Sequence, residues 1–525
     1  MTPRRAHRGA VGAAPRAGGV LSVYRAERRK LLAQLSTRVL VLVCTLGPAV
    51  FAVILRLQSG VPADTLLGVW VHSSGYAIPF VVLGFGGFWG FPVLAGVLAG
   101  DLFSSEDRYG TWKTILTRSP TRKDVFAGKV LAAMTLTAAL VALAGLSSLL
   151  AGLLLTGDQP LVGLGGTVIP SGECLLLVLV SWLVVLLPVL AFTSLAVLFS
   201  VATRNGIMGV LGPVLTGLLM QLLALIGTGT WVHLLLVASA FGDWHGLLAA
   251  DRFYGPLIIS SCVCAAWAMA CLGTSWLILR RRNFAGTPVA RQRGWVAPAR
   301  AVLAVAALIV VLGIASNWGP VAITKPRLEA SITSSFNRLT RLQQEQLGRS
   351  LATAAELDDR AICRRRSSKS DGPGDDWSCA ITIATPRAGA LETVGYDVSV
   401  ESDGCYKADA PTSFVGQQMM SDARGHSVVN PLFTIYGCFD IVSAPPCART
   451  ATCGQTSELQ RSGHPTAAPG DEAEAQRLHE AERIAGPTVM RKINKADAKA
   501  ARESTRPGPE EAEPPAREAR HSSVR

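Results

Sequence analysis

Charge is what the apolar stretches of this 525-residue chain lack: the runs near 39–55, 75–100, 130–155, 174–200, 207–228, 257–279 and 301–317 hold no Asp, Glu, Lys, Arg or His. An ion-coupled secondary transporter normally needs ionisable or unwound polar sites at mid-membrane, so a proton or sodium pump is disfavoured and the energy for any transport enters from elsewhere. A GxxxxGK[ST] phosphate loop is also missing: Gly128 and Lys129 are followed by Val130, with no cradle before them. There is no GxSxG elbow, HExxH or CxxC either, which removes the usual hydrolytic, zinc and thiol-redox motifs and leaves no catalytic residue to name. Residues 1–38 are Arg-rich without the 7–15-residue apolar core of a cleavable signal peptide, so the first apolar run is expected to be the insertion signal as well.

What is present is lipid-facing sequence. A chain with 49% hydrophobic residues is too apolar for two or three soluble domains of this total length. A bilayer core takes about 20 apolar residues per helix, and the seven runs are read as seven spans. Lys and Arg alternate accordingly: segments 1–38, 101–129, 201–206 and 280–300 hold 22 of them, against 2 in 56–74, 156–173 and 229–256. The positive-inside rule then places the N-terminus in the cytoplasm and everything from residue 318 outside the plasma membrane. The net charge of +13 is carried by these juxtamembrane clusters, which face anionic lipid headgroups and give no reason to expect nucleic acid.

Residues 318–454 read as a folded outside domain, with a helix over 336–358 and strands in CAITIA from Cys379, VGYDVSV from Val394 and PLFTIYGCFD from Pro431. Six cysteines fall there, Cys363, Cys379, Cys405, Cys438, Cys447 and Cys453, in a compartment where disulfides persist. Six cysteines allow 15 pairings and the spacing does not choose among them. CRRRSSKSDGPGDDW, from Cys363, reads as a solvated loop, and the lone His426 as a surface group. The last 70 residues carry too little apolar surface to fold alone. The predicted organisation is a 1–38 leader with an interfacial helix, a 39–282 six-span core, a 283–317 basic linker with the seventh span, the 318–454 domain and a disordered 455–525 tail. The expected class is thus an all-α polytopic membrane protein followed by a small β-rich α+β domain.

Two cytoplasmic stretches stand out. In VLSVYRAERRKLLAQLSTR, Val20, Tyr24, Leu31 and Leu35 share a helix face opposite Arg25, Arg28, Arg29 and Lys30, which predicts a helix lying along the membrane surface. In DLFSSEDRYGTWKTILTRSPTRKDVFAGK, Ser104 and Ser105 can cap a short helix with Glu106 and Asp107 in its first turn, Gly110 permits a bend, and Ser119 with Pro120 restarts helix into the third span. Arg122, Lys123 and Lys129 are explained as charges that anchor helix ends; the stretch Glu106 to Trp112 is not. The glycine run at Gly84, Gly86, Gly87 and Gly90 lies inside a span and predicts close helix packing.

Taken together, ERRKLLAQL (Glu27 to Leu35) and SSEDRYGTWKTILTRSPTRKDVFAGK (Ser104 to Lys129) resemble the type-2 permease subunits of ABC exporters, over residues 20–282. The resemblance implies a permease dimer on two separate ATPase subunits, which would bind the ATP and Mg; no cofactor is expected in this chain. It makes Glu106, Arg108, Gly110, Thr111 and Lys113 the coupling contacts and places Tyr24, Glu27 and Arg28 in the family's connecting helix. WVHLLLVASAFGDWHGLLAADRFYG, from Trp231, is similar in position to the family's short outer helices before span six, with Trp231 and Trp244 expected at the membrane interface and His233 and His245 as interfacial polar groups. The seventh span and outside domain depart from the simple pattern. The rival reading is a non-transporting receptor or envelope assembly factor acting through the outside domain.

Overall fold

The computed structural model describes residues 19–58, 68, 70, 74–117, 121–225, 230–282, 323–349, 359–367, 371–384 and 391–442. Among these, six helices are long and apolar enough to cross a membrane: Leu35–Leu57, Ala77–Tyr109, Arg122–Leu155, Ser171–Thr203, Gly206–Ala224 and Gly255–Arg281. They fall on the first six expected spans. The run at 301–317, the tail 455–525, Cys447 and Cys453 lie outside the described residues.

The chain opens with α1 (Val20–Ala33) and turns at Gln34 into α2 (Leu35–Leu57). The second span is built from α3 (Ala77–Phe85), a π turn (Gly86–Gly90) and α4 (Phe91–Ala99). Glycine is a poor helix former, and GGFWG accepts the widened turn that stronger helix formers would resist. The close packing predicted for this run occurs at Gly87, where a Cβ would come within 2.8 Å of Phe241, whereas Gly84 and Gly90 face open space.

Two short helices, α5 (Ser104–Tyr109) and α6 (Trp112–Thr117), precede α7 (Arg122–Leu155). The N-cap of α7 is Thr121, in a capping box with Asp124: each side chain accepts from the other's backbone N–H. Ser119 and Pro120, expected to start this helix, lie outside the described residues. At 34 residues α7 is about 50 Å long, well beyond the roughly 30 Å of a hydrocarbon core, so its first turns can carry charge. After a two-strand hairpin, β1 (Leu161–Val162) and β2 (Val168–Ile169), come α8 (Ser171–Thr203), α9 (Gly206–Leu225), the short α10 (Thr230–Leu235) and α11 (His245–Leu248), and α12 (Gly255–Arg281). α8 is the central helix, packed against α4, α7, α9 and α12.

The turns between α9 and α12 fold inward. Trp244 is 1% exposed and stacks on Phe80 at 5.3 Å, so it is a packing residue of the bundle and not the interfacial group expected of it. The side chain of Trp231, the other expected interfacial group, lies outside the described residues. His233 and His245 are half-buried, each with a Nδ1 atom enclosed and without a hydrogen-bond partner. The sequence could not show the burial of Trp244, because the ring it stacks on, Phe80, belongs to the distant second span.

Residues 323–442 form a second layer. α13 (Lys325–Gln346) lies across a five-stranded antiparallel sheet, order β3 (Arg360–Arg365), β4 (Gly374–Ala384), β5 (Leu391–Val400), β6 (Cys405–Asp409), β9 (Thr434–Cys438). Between the last two, β7 (Met419–Ser421) and β8 (Ser427–Val429) make a separate hairpin. Leu328, Ile332, Phe336 and Leu339 recur every three or four residues and bury one face of α13 on Trp377, Ile381, Tyr396 and Val398. The helix begins eleven residues before the expected start at 336 and ends at Gln346. The expected solvated loop after Cys363 is a hairpin, with Cys363 opposite Cys379 and Arg365 opposite Trp377. Arg365 is held by Asp376 at 2.6 Å and Arg366 by Asp397, pairings that let a basic run sit in a strand.

Disulfides join Cys363 to Cys379 and Cys405 to Cys438, each pair directly opposite across adjacent strands. The sheet seats on the end of the bundle where α7 stops: Gly165 N donates to Tyr436 O at 2.7 Å, and Arg338 Nε donates to Gly165 O at 2.8 Å.

Candidate functional site

Opposite that end, the bases of the spans converge on one buried cation. Lys129, two turns into α7, is 0% exposed. Its ammonium is 2.8 Å from Glu27 Oε1 on α1 and 3.0 Å from Glu106 Oε1 on α5, and it donates to Leu102 O at 3.3 Å. The Phe103 ring lies 5.8 Å away and supplies a cation-π face. Lys30 Nζ closes the group from α1 at 2.6 Å from Glu106 Oε1. Burial works to lower the pKa of Lys30; the Glu106 hydrogen bond, with the charges of Glu27, Glu106 and Asp101, outweighs it and holds the ammonium above the ordinary lysine range. A buried lysine needs such partners, because an uncompensated charge there would cost several kcal/mol.

Gly128 explains how α1 comes this close. A Cβ at that position would sit 2.7 Å from Val23, so glycine is what lets α1 lie on α7 with Glu27 beside Lys129. Tyr24 follows along the same contact, its hydroxyl 3.4 Å from Thr135 Oγ1 and its ring under Arg28.

The α5–α6 element is locked from the other side. Ser200 Oγ, on α8, accepts from the backbone N–H groups of Phe103 and Ser104, both at 3.1 Å. Capping thus comes from a distant serine and not from Ser104 or Ser105; Ser104 Oγ instead donates to Asp101 Oδ1 at 2.8 Å. Gly110 is the left-handed C-cap, φ +66°, and Thr111 folds back so that its N–H and hydroxyl both donate to Glu106. Arg108 pairs with Asp101 at 2.7 Å, and Arg282, at the end of α12, pairs with Asp107 at 2.6 Å. Trp112 stacks on Phe103 beneath.

The eight residues singled out in the sequence therefore divide in two. Glu106 and Glu27 are buried and bind α1, α5 and α7 into one body, with Thr111 and Tyr24 at the edges of that network. Arg28, Arg108, Gly110 and Lys113 are exposed, and Tyr109, which sequence reasoning did not select, is 71% exposed beside them. Sequence reasoning also gave no role to Asp101 and Arg282, set Lys30 on the basic face of the surface helix, and treated Lys129 as an anchor at a helix end. The one local signal for Lys129 was a glycine before a lysine at the mouth of an apolar run. Chemically, the arrangement is a set of ion pairs that joins α1, α5 and α7 at one end of the bundle.

No curated protein matches this chain. Residues 26–211, from within α1 to within α9, match the family model of the ABC-2 family transporter protein.

Proposed function

We propose that this chain is the membrane-spanning permease subunit of an ABC exporter, working as a dimer with ATPase subunits encoded separately. The match to the family model supports a membrane component that performs no ATP hydrolysis itself, and the absence of a phosphate loop from the sequence agrees. The observation that carries the coupling role is the α5–α6 element: it projects Arg108, Tyr109 and Lys113 into solvent while Glu106 ties its root to Lys129 on the third span. A push on the exposed side would be delivered to α1 and α7 together. In this reading the 101–129 end is cytoplasmic and the sheet domain lies outside, in the orientation that the Lys and Arg distribution predicts.

The test is purification of the tagged chain from its native membrane in mild detergent. A Walker-motif ATPase should accompany it in near-equal amount, and Tyr109→Ala with Lys113→Glu should release that ATPase while leaving insertion and melting temperature unchanged. An intact chain that reproducibly brings down no ATPase would refute the permease reading.

A further inference from the structure

His245 of α11, Asp403 and Cys405 meet where the sheet domain rests on the bundle: their ligand-type atoms all lie within 4.8 Å of one another. Cys405 Sγ is bonded to Cys438 Sγ, so a fourth ligand-type atom is one bond further on. The two disulfides differ in setting. Cys363 and Cys379 are 0% exposed inside the domain core, whereas Cys405 and Cys438 are partly exposed and Cys438 packs against the bundle. Accessibility to an attacking thiolate makes the second bond the one open to exchange.

We propose that the Cys405–Cys438 disulfide masks a zinc-type site, and that its reduction lets His245, Asp403, Cys405 and Cys438 bind one divalent ion that fastens the bundle to the sheet domain. Two thiolates, one imidazole and one carboxylate supply the four ligands of a closed tetrahedral centre. With zinc-ligand bonds of about 2.0–2.3 Å, tetrahedral ligands stand roughly 3.3–3.8 Å apart, so the present 4.8 Å envelope must contract by about 1 Å. Asp403 is already oriented, since its Oδ1 accepts from Cys405 N at 2.8 Å.

The redox step balances with a dithiol as reductant. Its thiolate attacks Cys438 Sγ, the S–S electron pair leaves on Cys405 Sγ, and the second thiol of the reductant expels Cys438 while closing its own disulfide. The two cysteines are thereby reduced by two electrons, and each loses its thiol proton to water on metal binding.

The experiment uses the full chain in detergent, oxidised or treated with a phosphine reductant, equilibrated with zinc alone and desalted before metal analysis. The reduced chain should retain about one zinc more than the oxidised chain. His245→Ala and Asp403→Asn, which leave every cysteine in place, should each weaken that binding at least tenfold, since even loss of an outer-shell partner costs about 10–100-fold. His233→Ala should leave it intact, and cobalt in place of zinc should give tetrahedral thiolate spectra in the reduced wild type. Equal retention by reduced wild type and His245→Ala, no uptake by reduced chain that keeps its circular dichroism, or unfolding on reduction would each overturn the proposal.

Discussion

Lys129 sits between two carboxylates, and neither its charge nor its burial stands without the other. Replacing it by Met removes the cation and leaves Glu27 without its ion-pair partner, while Glu106 keeps Lys30. Breaking a buried pair in this way costs about 3–5 kcal/mol, so Lys129→Met should melt several degrees lower in detergent, and adding Glu27→Gln should recover part of the loss. A double variant no better than the single one would show that the two residues do not act together. A second residue-scale prediction concerns Glu329 on α13, whose carboxyl burial pushes up against the lowering effect of the Cys363 N–H it accepts at 2.7 Å and of Lys325. With the folded pKa above the unfolded one, its stabilising contribution is complete below the unfolded pKa and is lost as pH rises through the folded one. Wild type should therefore lose stability relative to Glu329→Gln as pH rises above about 4, which melting curves across that range would reveal.

Among elements, α1 depends on its seat. Gly128→Leu fills the space that Val23 occupies, and α1 should detach while α7 stays in the membrane. Proteolysis at Arg25 and Arg28 should then accelerate markedly, with insertion unaltered; unchanged cleavage would mean that α1 is held by its other contacts. The same comparison shows what the sequence made legible. Six spans followed from runs of apolar residues, because in lipid the helix must satisfy its own backbone and length alone marks it. The bend at Gly110 followed from glycine's access to positive φ. By contrast, Ser200 caps a helix 97 residues earlier and Arg282 pairs with an aspartate 175 residues away, and no local spacing encodes such partners. The strand Arg360–Arg365 was missed because Arg364, Arg365 and the following Arg366 read as solvated charge, whereas Asp376 holds Arg365 and Asp397 holds Arg366 just past the strand. For the same reason the histidine beside Cys405 could not be read from the cysteine spacing.

For the whole molecule, Arg338 makes one of the polar bonds by which the sheet domain touches the bundle. Arg338→Ala should speed hydrogen exchange in the segment around Gly165 without altering exchange in β4 and β5; equal acceleration throughout would mean that the domain itself had loosened. α7 runs unbroken from the Lys129 group to Thr156, just ahead of that segment. A rod of about 50 Å pivoted at one end by about 5° carries its other end roughly 4 Å. One continuous helix thus makes the sheet domain a pointer to the posture of α5: a distance probe placed on the domain would report, from the other end of the bundle, each rearrangement of the charges around Lys129.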